Sequence, residues 1–269
     1  MNARAGQETG TKLVEVSNLR VLFGDTVILE NLDLDVYGGD ILGILGTSGC
    51  GKSVLLKAII GLIKPDAGRV CVFGEDLAEI EPLRILNLQR RWGVVFQEGG
   101  LFSSLSVGDN IRRIIEEHVR LPQRLLTEVV ELKISMVGLD QRVCRQVPDQ
   151  LSAGMRKKAS LARALALDPT LLFLDAPTTN LDPLAAADLN ELLLELHDVL
   201  GITIVVITYD LATVRAICTR VAVMADKHMI ATGSLDAVAS SEHPHVRAFF
   251  HDPRGRAATG PSARESKQR

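Results

Sequence analysis

Gly46-Thr47-Ser48-Gly49-Cys50-Gly51-Lys52-Ser53 is the stretch from which the fold can be read. It satisfies G-x-x-x-x-G-K-[ST] in full, and its flanks have the required character. Before it, Asp40–Gly46 (DILGILG) is an apolar run short enough for a buried strand. After it, Lys52–Ile63 has the spacing of a helix. In such a strand–loop–helix corner the glycines let backbone N–H groups curl around phosphate oxygens, and the helix N-terminus adds partial positive charge. Lys52 would reach the β- and γ-phosphates, and the Ser53 hydroxyl would ligate Mg²⁺. The nucleotide-binding set drawn from this corner is Gly46, Thr47, Ser48, Gly49, Cys50, Gly51, Lys52, Ser53 and Val54.

Outward from the loop, short apolar runs alternate with helical patterns. Trp92–Phe96, Leu171–Asp175 and Ile202–Thr208 read as strands, the last one β-branched throughout its core (ITIVVIT). Pro183–Leu200 and Leu211–Cys218 read as helices. This alternation predicts an α/β fold with a mostly parallel sheet covered on both faces. Leu171-Leu-Phe-Leu-Asp175 ends in a carboxylate at the end of its strand, where ligands collect in such sheets, so Asp175 is a candidate for holding Mg²⁺. Two regions break the rhythm. Residues 13–40 and 68–75 read as short antiparallel strands, with a turn at Tyr37-Gly38-Gly39-Asp40. Residues 98–167 are mainly helical, over Val107–Glu117, Leu125–Val137 and Met155–Leu167. The expected architecture is an α/β core with an antiparallel β subdomain and a helical subdomain.

With 269 residues, 46% of them hydrophobic, the chain can bury a large core. A net charge of −3 and a pI of about 6.1 give no whole-chain attraction to nucleic acid, so none is expected as a partner. No run of about 18 uncharged apolar residues predicts a membrane span. The start, MNARAGQETGTK, has no apolar core of a secretory signal. The four cysteines are far apart with no C-x-x-C pair, as expected of reduced thiols. Residues 1–11 and 252–269 read as disordered tails, which leaves 12–251 as the folded unit.

The order of further motifs resembles the ATP-binding-cassette (ABC) family over about residues 13–250. After the phosphate loop come Val94-Val-Phe-Gln97, Leu151-Ser-Ala-Gly-Met155, Leu174-Asp-Ala-Pro177, Asn180-Leu-Asp182 and Thr208-Tyr-Asp210. The resemblance implies a P-loop NTPase fold with a RecA-like parallel core, ATP and Mg²⁺ as cofactors, and a head-to-tail dimer, most simply a homodimer. Each composite site would join one subunit's phosphate loop to Ser152, Ala153 and Gly154 of the other. It also implies that Gln97 senses Mg²⁺ and the γ-phosphate beside Ser53 and Asp175, and that Phe23 stacks on adenine. A packing or turn role is the competing reading of Phe23. Phe96–Val107 and Val246–Arg254 are similar to the phospholipid and Mce-linked branch of the family. That likeness implies a transmembrane permease, a periplasmic lipid-carrier system and a peripheral place on the cytoplasmic face of the inner membrane. Leu101, Phe102 and Leu105 either dock a coupling helix of the permease or belong to the core.

The pattern breaks at four positions. Ala176 stands where the family has the glutamate that polarises the attacking water; a methyl has no acceptor, and losing a positioned base costs about 10²- to 10⁴-fold in rate. Tyr209 replaces the switch histidine; a phenol donates a hydrogen bond but carries no charge at neutral pH. Ala153 adds a β-carbon within the signature, with strain of about 1 kcal/mol if that position needs a positive φ. Asn180 is the mildest change, because Asn tolerates the left-handed region.

The expected protein therefore binds Mg-ATP but hydrolyses it very slowly or not at all. It is an energising transporter subunit or a non-hydrolysing, ATP-responsive regulatory or assembly subunit. A soluble ABC protein of repair or translation is disfavoured, since neither a second cassette nor a long insertion is present. The remaining charges read as solvated. Arg84, Arg90 and Arg91 form a loose cluster on a solvated face, and Arg156, Lys157 and Lys158, on the helix after the signature, either favour the nucleotide charge or are simply exposed, the second being the preferred reading. His243, His245 and His251 lack ligand spacing and read as surface residues.

Overall fold

The computed structural model describes residues 10–251. The proposed tails at 1–9 and 252–269 lie outside the described residues, whereas Thr11 is described and accepts a hydrogen bond from Gly38 N at 2.9 Å. In chain order the elements are β1 (Lys12–Phe23), β2 (Thr26–Tyr37), β3 (Ile41–Gly46), α1 (Lys52–Ile59), β4 (Ala67–Val72), β5 (Glu75–Asp76), α2 (Pro82–Gln89) and β6 (Trp92–Val95). There follow α3 (Val107–His118), α4 (Gln123–Met136), two short 3₁₀ turns, α5 (Ala153–Ala164), β7 (Leu171–Asp175), α6 (Pro183–Leu200), β8 (Thr203–Thr208) and α7 (Leu211–Ile217). The chain closes with β9 (Arg220–Ala225), β10 (His228–Gly233), α8 (Leu235–Ala239) and α9 (Pro244–His251).

The six-stranded sheet has the order β10-β9-β3-β8-β7-β6, parallel except for the β9–β10 hairpin at its edge. Its central strands are buried on both faces, which is why they read as continuous apolar runs. The alternation inside those runs assigns each face. Leu171, Phe173, Val205 and Ile207 pack with α1 and the antiparallel sheet, while Leu172, Leu174, Ile204 and Val206 pack with α3–α6. The second sheet, β2-β1-β4-β5, is antiparallel. Its first two strands are twelve residues each, longer than the short strands expected. They tolerate that length because register shifts bend the pair.

Helix boundaries follow local chemistry. The helix α1 stops four residues before Ile63, although the sequence stays apolar. Gly61 turns left-handed at φ 77°, and Leu62 N and Ile63 N both donate to Lys57 O, closing the last carbonyls. The helix α6 starts where Asp182 Oδ1 accepts from Ala185 N at 2.9 Å with Pro183 in the first turn, and stops at Gly201 with φ 66°. Asp182→Ala is expected to lower stability by about 1 kcal/mol, read as a lower urea midpoint at unchanged slope.

The helical layer joins the sheet at the C-terminal end of α5. A β-carbon on Gly93 would lie 2.4 Å from Ala164 O, so β6 meets α5 backbone to backbone there. Nearby, the buried Lys133 of α4 donates to Asp168 Oδ1 at 2.5 Å, in the turn between α5 and β7. Among the described residues no helix is long and apolar enough to cross a membrane.

Candidate nucleotide site

The phosphate loop leaves β3 at Gly46 and enters α1 at Lys52. Its glycines are required one by one. A β-carbon on Gly46 would sit 2.7 Å from Met224 O, and one on Gly51 would sit 2.6 Å from Leu29 Cδ2. Gly49 and Gly51 hold φ of 81° and 103°, where L-residues are strained. Thr47, Ser48 and Gly49 are exposed, and Cys50 and Val54 are half-buried against the core beneath. Lys52 is buried and folds over the loop. Its Nζ donates to Gly46 O at 2.7 Å and Thr47 O at 2.8 Å, and lies 3.7 Å from Cys50 Sγ. The ammonium thus already sits against the carbonyls of the loop.

Ser53 Oγ donates to Asp175 Oδ2 at 2.9 Å, which joins the start of α1 to the end of β7. These two hard oxygen donors, side by side and one of them anionic, fit Mg²⁺. Gln97 lies in the exposed turn after β6, with its backbone carbonyl accepting from Lys157 Nζ at 2.5 Å. Next to Asp175, Ala176 is buried at 6% exposure and takes φ 47°, held by Ala176 N donating to Ile207 O at 2.8 Å. Tyr209 is exposed, with its hydroxyl 3.4 Å from Thr179 Oγ1. A cleft of about 640 Å³ brings Tyr209, Thr178, Thr179 and Asn180 to the same wall as Thr47. Asn180 takes φ 66°, in the left-handed region its side chain tolerates. Asp210 accepts from Ala212 N at 2.9 Å and Thr213 Oγ1 at 2.6 Å, and so fixes the entry to α7 beside Tyr209.

Phe23 ends β1 with half its surface exposed, as a ring-stacking surface needs; it is not a core aromatic. Ser152 caps α5, its hydroxyl accepting from Met155 N at 3.2 Å, and Gly154 lies in the first turn. Ala153 is the first residue of α5 and is not among the positive-φ residues, so the conditional strain does not arise: a right-handed helical φ accepts a β-carbon freely. Leu101 and Leu105 are half-buried, and Phe102 is exposed under Arg163, whose guanidinium lies 5.2 Å from the ring centroid.

One charge expectation needs correction. Lys157 is buried, not exposed. Beyond Gln97 O its Nζ reaches Ala176 O at 3.4 Å. Burial pushes its ammonium below the usual lysine range, and the Asp175 carboxylate works the other way. Its neighbours are also engaged, Arg156 with Leu151 O and Lys158 with Asp188. The cluster of Arg84, Arg90 and Arg91 keeps its place at the surface: Arg84 and Arg91 are exposed, Arg84 paired with Glu75 and Arg91 stacked 3.7 Å from the Phe73 ring centroid. His243 and His245 stack on each other, and His245 pairs with Asp226 at 2.9 Å.

This strand, loop and paired Ser–Asp arrangement has counterparts among known proteins. The profile of the ABC transporter family matches residues 29–179, more than half of the chain. The chain belongs to the ABC transporter family. This cassette is 37% identical over 238 residues to the intermembrane phospholipid transport system ATP-binding protein MlaF of Haemophilus influenzae, covering 88% of this chain and 90% of that one. It is 36% identical to MlaF of Escherichia coli over 91% of this chain and 90% of the other. With the probable ribonucleotide transport ATP-binding protein mkl of Mycobacterium leprae it shares 34% over 90% of this chain and 69% of that one. Among solved structures, the dimeric bacterial ABC transporter cassette MJ0796 superposes with a TM-score of 0.76 at 27% identity, covering 82% of this cassette and 98% of that chain. The corresponding values for cbiO1 of Clostridium perfringens, part of the ABC transporter complex cbiONQ, are 0.77, 28%, 91% and 98%. The P-loop NTPase fold, with its antiparallel and helical additions, is that of an ABC cassette.

Proposed function

We propose that this cassette is the ATP-binding subunit of a lipid-transporting ABC system, which binds Mg-ATP and closes head to tail on a second cassette while hydrolysing very slowly or not at all. The observation that carries the reading is Ala176. A buried methyl group follows Asp175, beside a phosphate loop whose Lys52, Ser53 and glycines are all in place. Binding needs the loop amides, Lys52 and the Ser53–Asp175 pair. In-line attack by water needs an acceptor to orient it, and neither the methyl group nor the exposed phenol of Tyr209 supplies a basic one.

Ser53 and Asp175, with Gln97, would hold Mg²⁺, whose charge stabilises the phosphate oxygens. Phe23 would stack on the adenine. Ser152, Ala153 and Gly154 would present the N-terminus of α5 to the nucleotide on the partner cassette. Likeness to two MlaF proteins named for intermembrane phospholipid transport supports a lipid cargo, a transmembrane permease and a periplasmic carrier as partners. It equally supports a peripheral place on the cytoplasmic face of the inner membrane.

A second reading is a regulatory or assembly subunit whose dimerisation follows ATP occupancy without turnover. It is favoured by the alteration of Ala176 and Tyr209 together, which in a homodimer leaves both composite sites without their triggering groups. Mg-ATP titration and steady-state phosphate release, both on the complex with its permease, test the proposal. The expected result is tight Mg-ATP binding with little or no phosphate released. Turnover at the rate ordinary for the family overturns it. Lipid transfer between labelled vesicles that stays ATP-dependent favours the transporter reading, and ATP-driven dimerisation without transfer favours the second.

A further inference from the structure

The binding parts described so far leave a buried charge beside the site unused. Lys157 lies five residues beyond Ser152 on α5, 9% exposed, and its ammonium bonds to the carbonyls of Gln97 and Ala176. These carbonyls come from two different loops, one after β6 and the other after β7. The rest of the same helix face follows the first loop. Arg163 Nη1 donates to Gly100 O at 3.0 Å, and Gly99 lies so near Ser160 that a β-carbon there would stand 2.6 Å from its hydroxyl. Residues 157, 160 and 163 are spaced to share one face of a helix, so α5 runs along the 97–100 loop. Lys157 adds to that contact a bond into the turn after Asp175. The left-handed φ of Ala176 and its bond to Ile207 fix that turn.

We propose that Lys157 is a positioning residue: it fastens the Gln97 loop and the Ala176 turn, which face the nucleotide of its own subunit, to the helix whose N-terminus faces the nucleotide of the partner. The inference rests on the Mg-ATP-binding, dimer-forming reading given above. A buried ammonium cannot leave its two carbonyl partners without stranding itself away from water. A displacement of either loop on nucleotide binding is therefore carried to α5 and Ser152. The occupancy of one composite site thus reaches the other through α5, with Lys157 the side chain that ties both loops to it.

Hydrogen-exchange mass spectrometry on the full chain tests this with Lys157→Met and Lys157→Arg. Without nucleotide, Lys157→Met should raise exchange by about threefold or more in both the segment holding Gly99 and that holding Thr179, because opening there no longer breaks a charged bond. The strands β3 and β8 should stay protected, and Lys157→Arg should restore both loops. With Mg-ATP, at a dilution that keeps the chain monomeric so that no partner nucleotide covers Ser152, the wild-type chain should gain protection at the phosphate loop and at 152–156, whereas Lys157→Met should gain it at the phosphate loop only. Exchange altered only inside α5, or a 152–156 response that survives in Lys157→Met, overturns the inference. Absence of protection at the wild-type phosphate loop defeats the nucleotide reading instead, and the nucleotide-free comparison then decides the role of Lys157. Should Lys157→Met lose protection throughout β3 and β8, Lys157→Gln, which keeps a donor group on a shorter side chain, serves in its place with the same two outcomes.

Discussion

Ala176→Glu combined with Tyr209→His is expected to raise ATP turnover by about 10²- to 10⁴-fold, the usual worth of a positioned general base with its partner. In barrier height this corresponds to roughly 3–5 kcal/mol. The backbone is ready for the change. Ala176 already holds a β-carbon at φ 47°, so a glutamate adds no new backbone strain, and its neighbours fix the turn independently of the side chain. The new carboxylate would enter a confined space, since Ala176 is 6% exposed, but the Lys157 ammonium within 3.4 Å of its carbonyl offsets part of the burial. Tyr209 is more than half exposed, so a smaller imidazole there disturbs no core contact. Phosphate release at saturating Mg-ATP, compared with wild type in the same complex, is the measurement. If the double variant binds Mg-ATP as the wild type does and releases phosphate no faster, the altered residues are not what limits turnover.

Lys52→Ala is expected to weaken Mg-ATP binding by on the order of 100-fold. The charge–phosphate bonds it removes contribute about 1.5–3 kcal/mol each, and the larger figure alone corresponds to roughly that factor. The loss has two sources. The triphosphate loses a buried counter-charge, and the carbonyls of Gly46 and Thr47 lose the donor that holds the loop ring. Calorimetric titration measures it, with thermal unfolding as a check that β3 and α1 remain in place. Affinity within threefold of wild type would mean that nucleotide does not enter this loop.

The core and the loop were legible because their signals are local. β7 covers the Leu171–Asp175 run and α6 covers Pro183–Leu200, each bounded by its own caps or turns. The β9–β10 hairpin was not, although RVAVMA is a strong strand pattern. Its two-residue turn is Asp226-Lys227, both at positive φ, where the usual signal is Asn-Gly or Asp-Gly. The site shows the same division. The phosphate loop and Asp175 carry recognisable spacing, but the burial of Lys157 comes from a loop sixty residues away in sequence. One clue was available. Three consecutive cations on a helix span about 200° of its circumference, so they cannot all face water on a helix that also buries Ala159, Leu161 and Ala162.

The close approach of Gly93 to Ala164 and the bond from Lys133 to Asp168 lie at the same end of α5, and together they make that end a fulcrum. The helix runs 12 residues from there to Ser152, a lever of about 18 Å. A tilt of about 10° of the helical layer against the sheet therefore hardly moves the fulcrum and swings the capped tip by about 3 Å, the length of one hydrogen bond. In the proposed head-to-tail dimer, a rotation that small, imposed by a permease at the edge of the layer, is enough to make or break the contact of Ser152 with the partner's nucleotide.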